Sequence, residues 1–247
     1  MIHIERKAQN AVKNVLSFIY FSGNICNMYK IDHLLNANEE VGVIMKDFYV
    51  DLHIHIGRTA SGKPVKITGS KTLTLHTILQ CASSQKGLDM IGVIDCHSPE
   101  VLVEIEGLLK RGEMIELAEG GLRFQETTLL LGSEIEVYDS YCHGPIHVLA
   151  YFPTVEKMKA FSDWMSNHVK NISLSSQRIY VEGRALQQKV YEYDGLFVPA
   201  HVFTPFKSLY GKGVTRSLTE VFDPNYIDAI ELGLSSDTQM VRNIKEL

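Results

Sequence analysis

The sequence predicts an α/β fold with a parallel sheet, and two regularities support this prediction. From Asp47 onward, short apolar runs recur as expected for strands, over residues 48–56, 90–94, 128–137, 147–152, 196–200 and 227–232. Between several of these runs, apolar residues recur at helical spacing, over residues 70–85, 98–112 and 154–168. Because strands that alternate with helices are typically parallel, we expect a sheet that is either open or closed into a barrel.

The clearest helix signal begins at Ser98. Serine is a good N-cap residue, Pro99 suits the first helical turn, and the helix is expected to end near Gly112. Its apolar positions follow a period of about 3.6 residues and are Val101, Leu102, Ile105, Leu108 and Leu109. The spacing predicts one buried face and one exposed face.

Composition excludes several classes of protein. Of the 247 residues, 45% are hydrophobic and 21% are charged, which is typical of a globular protein and not of a disordered segment or a coiled coil. With 24 Lys and Arg against 29 Asp and Glu, the net charge of −5 disfavours nucleic-acid binding by overall charge but leaves a local basic patch open. The apolar stretch at residues 15–21 is too short to span a membrane.

The four cysteines are scattered and include no Cys-x-x-Cys pair. This spacing is typical neither of a disulfide framework nor of a zinc knuckle. We interpret them as free thiols and predict a cytoplasmic protein without a membrane partner. They are Cys26, Cys81, Cys96 and Cys142.

Residues that can bind metal lie at the ends of five of the predicted strands. They occur in Asp51-Leu52-His53-Ile54-His55, in Asp95-Cys96-His97, in Gly132-Ser133-Glu134, at His147, and in Pro199-Ala200-His201. The carboxyl ends of parallel strands face one crevice, so these side chains are expected to converge there. Alternate strand residues point the same way, so His53 and His55 would present two imidazoles to one ion.

One His-x-His pair can arise by chance in a chain with ten histidines, whereas five such strand ends together predict a metal site. Imidazole and carboxylate ligands without thiolate favour a catalytic zinc, manganese or iron site over a structural zinc site.

Two basic segments accompany these strand ends. The first contains Arg58 and Lys63 and nearly matches a phosphate-binding loop, but Pro64 replaces the hydroxyl residue that would hold magnesium, so no nucleotide cofactor is predicted. The second contains Lys207 and Lys212. Each segment could contact phosphates or form a solvated loop. The aromatic residues of the second could stack on a displaced base or pack onto the fold; they are Phe203, Phe206 and Tyr210.

The strand-end residues resemble the motifs of the polymerase and histidinol phosphatase (PHP) superfamily. Asp51-Leu52-His53-Ile54-His55 is similar to its first motif, Asp95-Cys96-His97 to its second, Gly132-Ser133-Glu134 to its bridging glutamate, and His147 and Pro199-Ala200-His201 to its later histidines. Within the superfamily, residues 199–210 and 231–238 are similar to the endonuclease Q family.

The resemblance implies a distorted (β/α)7 barrel of the PHP type, with a multinuclear cluster of zinc, or else manganese or magnesium, at its mouth. It also implies hydrolysis of DNA on the 5′ side of deaminated bases such as uracil and hypoxanthine, by attack of a metal-activated water. The implied metal ligands are His53, His55, Asp95, His97, Glu134, His147 and His201. Glu134 and Asp95 are expected to act in catalysis, and Arg58, Lys63, Lys207 and Lys212 to contact the substrate.

We expect a PHP-type domain over residues 45–247 after an irregular N-terminal extension over residues 1–44. The last motif of the superfamily, an Asp-x-His, would follow Leu247, so the expected barrel lacks its last strand or strands. Two alternatives to an endonuclease stay open on this evidence. One is a phosphoesterase that acts on a small phosphorylated metabolite, and the other is an inactive truncated fragment.

Overall fold

The computed structural model of the protein describes residues 29–30, 48–234 and 236–244. These residues form a mixed α/β structure around one sheet of nine strands. The strands are β1 (Tyr29–Lys30), β2 (Tyr49–Ile54), β3 (Met90–Val93), β4 (Ile115–Glu116), β5 (Leu122–Phe124), β6 (Thr127–Val137), β7 (Ile146–Phe152), β8 (Arg178–Ile179) and β9 (Leu196–Pro199). Apart from β1, the predicted N-terminal extension lies outside the described residues.

The long strand β6 lies at the centre of the sheet. Its first half pairs in parallel with β3 and antiparallel with β5. Its second half pairs antiparallel with β7 and, at Glu136 and Val137, in parallel with β8. Strand β2 extends the sheet beyond β3 in parallel, and β9 extends it beyond β7 antiparallel. Because β6 has neighbours along both edges, its polar side chains can be placed against residues from several strands.

The prediction of a parallel sheet is confirmed for β2, β3 and β6 and is wrong for β7. Residues 138–145 join β6 to β7 without a helix, and a parallel neighbour would need a crossover connection. Strand β7 therefore runs back along β6, and its amino end lies beside the carboxyl end of β6. This arrangement brings His147, the second residue of β7, to the edge where the strand ends of the parallel part meet.

The predicted (β/α)7 barrel is not confirmed. Within residues 48–234 and 236–244, no strand pairing joins β9 to β2, and the sheet stays open. Residues 227–232, predicted as a strand, belong to no ladder. They follow β9 through hydrogen bonds from Asp228 N to Phe197 O (3.1 Å) and from Glu231 N to Pro199 O (3.0 Å).

Helices pack against the sheet. They are α1 (Leu75–Gln80), α2 (Pro99–Lys110), α3 (Val155–Ser166), α4 (Gly183–Glu192) and α5 (Thr238–Arg242). The three predicted helices are present as α1, α2 and α3, with α1 continuing as a π-helical turn over Cys81–Lys86. Helix α4 was not predicted from the sequence, because it has few buried apolar side chains. None of the described helices is both long enough and apolar enough to cross a membrane.

Helix α2 begins where it was predicted, but its N-cap residue does not form the expected capping hydrogen bond. Ser98 occupies the N-cap position without an N-cap hydrogen bond, and its hydroxyl instead donates to Glu100 Oε2 (3.3 Å). In α3, Thr154 does cap the helix, by accepting a hydrogen bond from Lys157 N (3.2 Å).

Two apolar clusters lie against the sheet. The larger is formed with the helices and includes Phe152 and Phe161, whose ring centroids are 4.5 Å apart. The smaller consists of Ile94, Leu130, Leu149, Tyr151, Leu196, Val198 and Ala200. Leu130 lies on the same face of β6 as Glu134, because side chains at alternate strand positions share a face. The smaller cluster therefore forms an apolar floor below the polar residues described next.

Candidate metal centre

Two histidines lie side by side where β2 ends. His53 and His55 are alternate residues, and their ring centroids are 5.3 Å apart. His53 Nε2 lies 3.5 Å from Glu134 Oε1, and His55 Nε2 lies 3.4 Å from Glu134 Oε2. The two imidazoles therefore face the two oxygens of one carboxylate.

Glu134 lies within β6 and is only 2% exposed. Its Oε1 is 2.8 Å from His147 Nδ1 and 3.7 Å from His201 Nε2. Its Oε2 is 3.4 Å from Lys66 Nζ and also accepts a hydrogen bond from the Ser176 hydroxyl. One buried carboxylate therefore lies against four histidines that come from three distant parts of the sequence.

His201 is held in place by contacts behind its ring. It follows β9 in a left-handed conformation, with φ of 33°. Its backbone N–H donates to Glu231 Oε2 (2.9 Å), and its Nδ1 lies 3.2 Å from Thr204 Oγ1. These contacts turn Nε2 toward Glu134 and bring the ring centroid to 5.4 Å from that of His147.

Among the described residues, two groups of side chains have the donors of a divalent metal site. They are His53, His55 and Glu134, and Glu134, His147 and His201, and in each group one ligand atom per residue lies within 4.8 Å of the others. His147 Nε2 is buried without a hydrogen-bond partner in the described part of the chain. Such an atom costs free energy that a bound ion would remove. The residues therefore fit a centre for two ions with Glu134 as the shared ligand.

The pKa shifts show how the charges of this cluster depend on one another. Burial would raise the pKa of Glu134, but the neighbouring imidazoles of His147, His201 and His53 outweigh burial and hold this pKa well below its usual range. Burial would lower the pKa of His53, whereas Glu134 and Glu231 raise it to about 10. Since a histidine must be neutral to ligate metal, ions that bind here would displace protons from the cluster.

Asp95 lies behind a predicted ligand and belongs to neither group. Its buried Oδ2 accepts a hydrogen bond from Ile56 N (2.7 Å) and lies 3.1 Å from His55 Nδ1. A carboxylate at this position fixes the orientation of the imidazole and leaves Nε2 for an ion. The geometry therefore favours support of His55 over the ligand and catalytic roles that the sequence predicts for Asp95.

His97 is not brought to the metal centre, although the sequence predicts it as a ligand. The residue is fully buried. Its Nδ1 lies 2.9 Å from Ser133 Oγ, and its Nε2 lies 3.3 Å from Leu174 O. Burial lowers the pKa of His97, which favours the neutral ring. Because protein atoms lie against both ring nitrogens, His97 links β6 to the loop that contains Leu174.

Sequence reasoning missed Glu231 as a site residue. Both of its carboxylate oxygens lie 3.0 Å from His53 Nδ1, and one of them accepts the hydrogen bond from His201 N. Burial would raise the pKa of Glu231, but His53 lowers it below the usual range. The available signal was an acidic residue inside an apolar run, residues 227–232.

Lys66 and two serines also lie in the centre. Lys66 Nζ is 3.2 Å from His55 Nε2 and 2.7 Å from Ser176 Oγ. Ser175 Oγ lies 3.1 Å from His55 Nδ1. No sequence pattern distinguishes Lys66 from the other basic residues of its loop, so only the folded structure identifies it.

The first basic segment makes local contacts. Arg58 Nη1 donates to Gly62 O (2.8 Å), and Lys63 Nζ forms an ion pair with Glu100 Oε1 (2.9 Å). This pairing holds the pKa of Glu100 at about 2. Lys63 therefore already has a carboxylate partner on α2.

The second basic segment lies closer to the metal centre. Lys207 Nζ is 3.0 Å from Glu136 Oε2, an oxygen that is also 3.6 Å from His147 Nε2. The neighbouring His147 and Lys207 side chains lower the pKa of Glu136 to about 2. Lys212 Nζ lies 4.9 Å from the centroid of the Phe206 ring. Lys207 therefore borders the centre, and Lys212 extends the basic segment outward.

The aromatic residues of this segment differ in their surroundings. Phe203 and Tyr210 stack on each other, with ring centroids 5.6 Å apart, and both pack against the larger apolar cluster. Phe206 is 71% exposed. Phe203 and Tyr210 therefore pack onto the fold, whereas the ring of Phe206 is accessible to a ligand.

Comparison with known proteins identifies relatives of this chain. No protein-family model matches the chain. It is 61% identical to the uncharacterized protein YqxK of Bacillus subtilis (strain 168) over 203 residues, which are 82% of this chain and 52% of that protein. The lesion-specific endonuclease PfuEndoQ from Pyrococcus furiosus shares 28% identity over 79% of this chain, with a TM-score of 0.63. The chain has an endonuclease Q-like fold. The resemblance predicted from the sequence is thereby confirmed.

A second endonuclease Q structure gives the same result. It is a complex with a 27-mer duplex that has an abasic lesion at the active site, and it matches with 29% identity and a TM-score of 0.64. The endonuclease Q-like chain covers 44% and 45% of the two endonuclease Q chains and about half of YqxK.

Proposed function

We propose that this chain is a metal-dependent phosphodiesterase, an endonuclease Q-like enzyme that nicks DNA on the 5′ side of deaminated bases such as uracil and hypoxanthine. The observation that carries the proposal is the pair of His/Glu groups that share Glu134, at the converging strand ends of an endonuclease Q-like fold. Residues 53, 55, 134, 147 and 201 would hold the ions.

The side chains around the centre fit the chemistry of phosphodiester hydrolysis. Bound divalent ions lower the pKa of a water to generate a nucleophile, and they neutralise charge on phosphate oxygens. Lys66 supplies a further positive charge, and its Nζ, 3.4 Å from Glu134 Oε2, can donate to a phosphate oxygen brought to the centre. Glu134 holds both ligand groups together, and Asp95 keeps His55 oriented.

The basic residues divide by position. Lys207 and Lys212 follow His201 and border the centre, so contacts with the DNA backbone near the reacting phosphate are proposed for them. Arg58 and Lys63 are engaged with Gly62 and Glu100, and we propose outer contacts for these two.

The test combines metal content with nicking of defined duplexes. We expect about two divalent ions per wild-type chain and cleavage of a duplex with a single uracil or hypoxanthine in Mn²⁺ or Zn²⁺. His53→Ala and Glu134→Gln should lose metal and reduce nicking at least a hundredfold. His76→Ala is the matched control, because His76 is an exposed histidine of α1 outside both ligand groups.

Three results would overturn the proposal. Nicking that persists at the wild-type rate in both His53→Ala and Glu134→Gln would show that it does not depend on this centre. Faster turnover of a small phosphomonoester than of damaged DNA would favour a metabolite phosphoesterase. Wild-type chain that binds metal but cleaves neither substrate would favour an inactive fragment.

A further inference from the structure

A row of exposed aromatic and cationic side chains continues from the metal centre along β6 and β8. We call it the tyrosine–arginine row and define it as Tyr138, Arg178, Tyr180 and Lys170. The Arg178 guanidinium lies 4.6 Å from the Tyr138 ring centroid and 5.5 Å from that of Tyr180. Lys170 Nζ lies 5.9 Å from the Tyr180 ring centroid. Tyr138 is 37% exposed and Tyr180 is 53% exposed, so part of each side chain is accessible to a ligand.

Strand register places this row on the face that carries the metal centre. Alternate residues of β6 share a face, so Tyr138 continues the line of Glu134 and Glu136. In the neighbouring strand, Arg178 is the register partner of Glu136. At a rise of about 3.3 Å per residue, Tyr138 lies about 13 Å along the strand from Glu134. A DNA strand with a phosphate at the centre would need to extend only about 13 Å to reach the row.

The charges near the row favour an anionic partner. The Asp139 carboxylate accepts hydrogen bonds from Tyr141 N (2.8 Å) and Gly183 N (2.7 Å). The Glu136 carboxylate is paired with Lys207. Backbone N–H donors leave the negative charge on Asp139, whereas Lys207 neutralises Glu136, so the two cations Arg178 and Lys170 still give the row a net positive charge.

We propose that the tyrosine–arginine row binds the DNA strand that leaves the metal centre, an inference that rests on the proposed function. Aromatic rings offer stacking surfaces to bases of any sequence, and interleaved cations contact the phosphates between them. The row would therefore hold the strand without selecting its sequence. Recognition of the lesion would be left to residues nearer the centre.

The experiment measures binding of an undamaged, fluorescein-labelled single strand to the full chain in Mn²⁺ by fluorescence anisotropy. Tyr138→Ala/Tyr180→Ala should weaken binding about tenfold or more, because two stacking surfaces are removed. Tyr138→Phe/Tyr180→Phe keeps both rings and should stay within about twofold of wild type. Tyr49→Ala is the matched control, since Tyr49 is an exposed tyrosine at the opposite end of β2 from the two histidines.

Salt dependence separates the cationic contribution from stacking. Arg178→Gln should reduce the slope of log affinity against log salt by about 0.7, the value for one phosphate contact on a single strand. Arg111→Gln is the control, because Arg111 is paired with Glu113 beyond the end of α2. An unchanged slope would contradict a phosphate contact by Arg178.

The outcomes distinguish the row from the proposed function. Wild-type nicking of uracil DNA together with unchanged binding by the Tyr→Ala pair overturns the row and leaves the nuclease intact. Loss of binding in the Tyr→Ala pair with retention in the Tyr→Phe pair supports the row. A wild-type chain that binds no DNA overturns the row, and its activity on uracil duplex then decides the proposed function separately.

Discussion

Glu134 is the residue on which the candidate metal centre depends. A carboxylate that is 2% exposed is costly to keep ionised unless charges and hydrogen bonds compensate it. Here the compensation comes from the surrounding imidazoles, which hold its pKa well below the usual range. A single carboxylate can thus serve two ligand groups, since its Oε2 faces His55 and its Oε1 faces His53, His147 and His201.

The support of His55 by Asp95 leads to a prediction about metal affinity. Asp95→Asn keeps the shape of the side chain but removes the charge that orients His55 Nδ1. We expect divalent metal affinity to fall about 10- to 100-fold, the usual effect of losing such a contact. Competition with a chromogenic chelator measures the change. Asp89→Asn is the control, because Asp89 Oδ2 accepts a hydrogen bond from Tyr49 N at the other end of β2 (2.8 Å). Equal affinities for Asp95→Asn and wild type would argue that Asp95 has no part in orienting the ligand.

The Lys63–Glu100 ion pair predicts a pH dependence of stability. Lys63 holds the folded-state pKa of Glu100 at about 2, below the unfolded value of about 4.3. The pair therefore stabilises the fold above about pH 4.3, and this contribution is lost as pH falls toward 2. Because Lys63 is largely exposed, the effect should stay below about 1 kcal/mol.

Urea unfolding of Lys63→Met and wild type from pH 6 to pH 3 tests this prediction. The difference in free energy of unfolding should be largest at pH 6 and shrink as Glu100 becomes protonated. Lys71→Met, which alters an exposed lysine of the same loop, serves as the control. A difference that stays constant across the range would mean that Lys63 stabilises the fold by packing and not by charge.

At the residue scale, the sequence predicted the ligands that lie at the ends of strands. His53, His55, Glu134, His147 and His201 could be recognised because their positions in or beside apolar runs, and the alternation of side chains along a strand, are local properties of the chain. Other side chains reach the centre because of the way loops and unpaired segments pack, and this packing leaves no pattern in the local sequence. Glu231, Lys66 and Ser176 reach the centre in this way, and His97 leaves it because its ring is enclosed by Ser133 and Leu174.

Among the elements, the junction of β2 and β3 controls the position of the first two ligands. Gly92 in β3 lies against the backbone of β2, and a Cβ at this position would be 2.5 Å from Leu52 O and 2.9 Å from Leu52 Cα. No side-chain rotation can relieve a contact with backbone atoms. Gly92→Ala must therefore push β2, and with it His53, away from β6.

We predict that Gly92→Ala lowers the free energy of unfolding by about 2 kcal/mol, within the range for overpacked interiors. Gly107→Ala in α2 is the matched control, since its Cβ would meet only the flexible Arg111 side chain at 3.1 Å. Alanine favours a helix over glycine by about 0.5–1 kcal/mol, so this variant should be unchanged or more stable. Urea unfolding of both variants gives the comparison. Equal stability of the two would contradict the close approach of β2 and β3.

Element prediction succeeded where the pattern was local and failed where chain direction decided the outcome. The helices with a regular apolar period were found within a few residues, whereas α4 has only Leu186 and Val190 as buried aliphatic side chains. The antiparallel β7 could not be foreseen from its own residues, because His147 to Phe152 would be equally apolar in a parallel strand. Its direction follows from the loop that precedes it, and the resulting mixed sheet stays open within the described residues.

At the scale of the whole molecule, the chain carries a net charge of −5, although Lys66 and Lys207 lie at the converging strand ends. Several of its cations are already paired, Lys63 with Glu100 and Lys207 with Glu136. Under the proposed function, affinity for DNA should therefore depend on a few local contacts and weaken steeply with salt, because each phosphate contact releases condensed counterions. The net negative charge of the chain would discourage binding that does not use these contacts.

Metal binding should stabilise the entire fold, because the ligands come from segments that span most of the described chain. The ligands extend from His53 to His201, and they are assembled only when β2, β6, β7 and β9 are in place. A ligand that binds only the folded state at a concentration a hundred times its Kd adds about 2.7 kcal/mol. For a chain of this size we expect Tm to rise by about 5–10 °C in Mn²⁺ or Zn²⁺ and to return to the starting value with EDTA. Glu134→Gln should lose this rise, since it removes the ligand common to both groups, while Glu119→Gln at an exposed position should keep it. A rise of the same size in Glu134→Gln would place the stabilising ions elsewhere on the molecule.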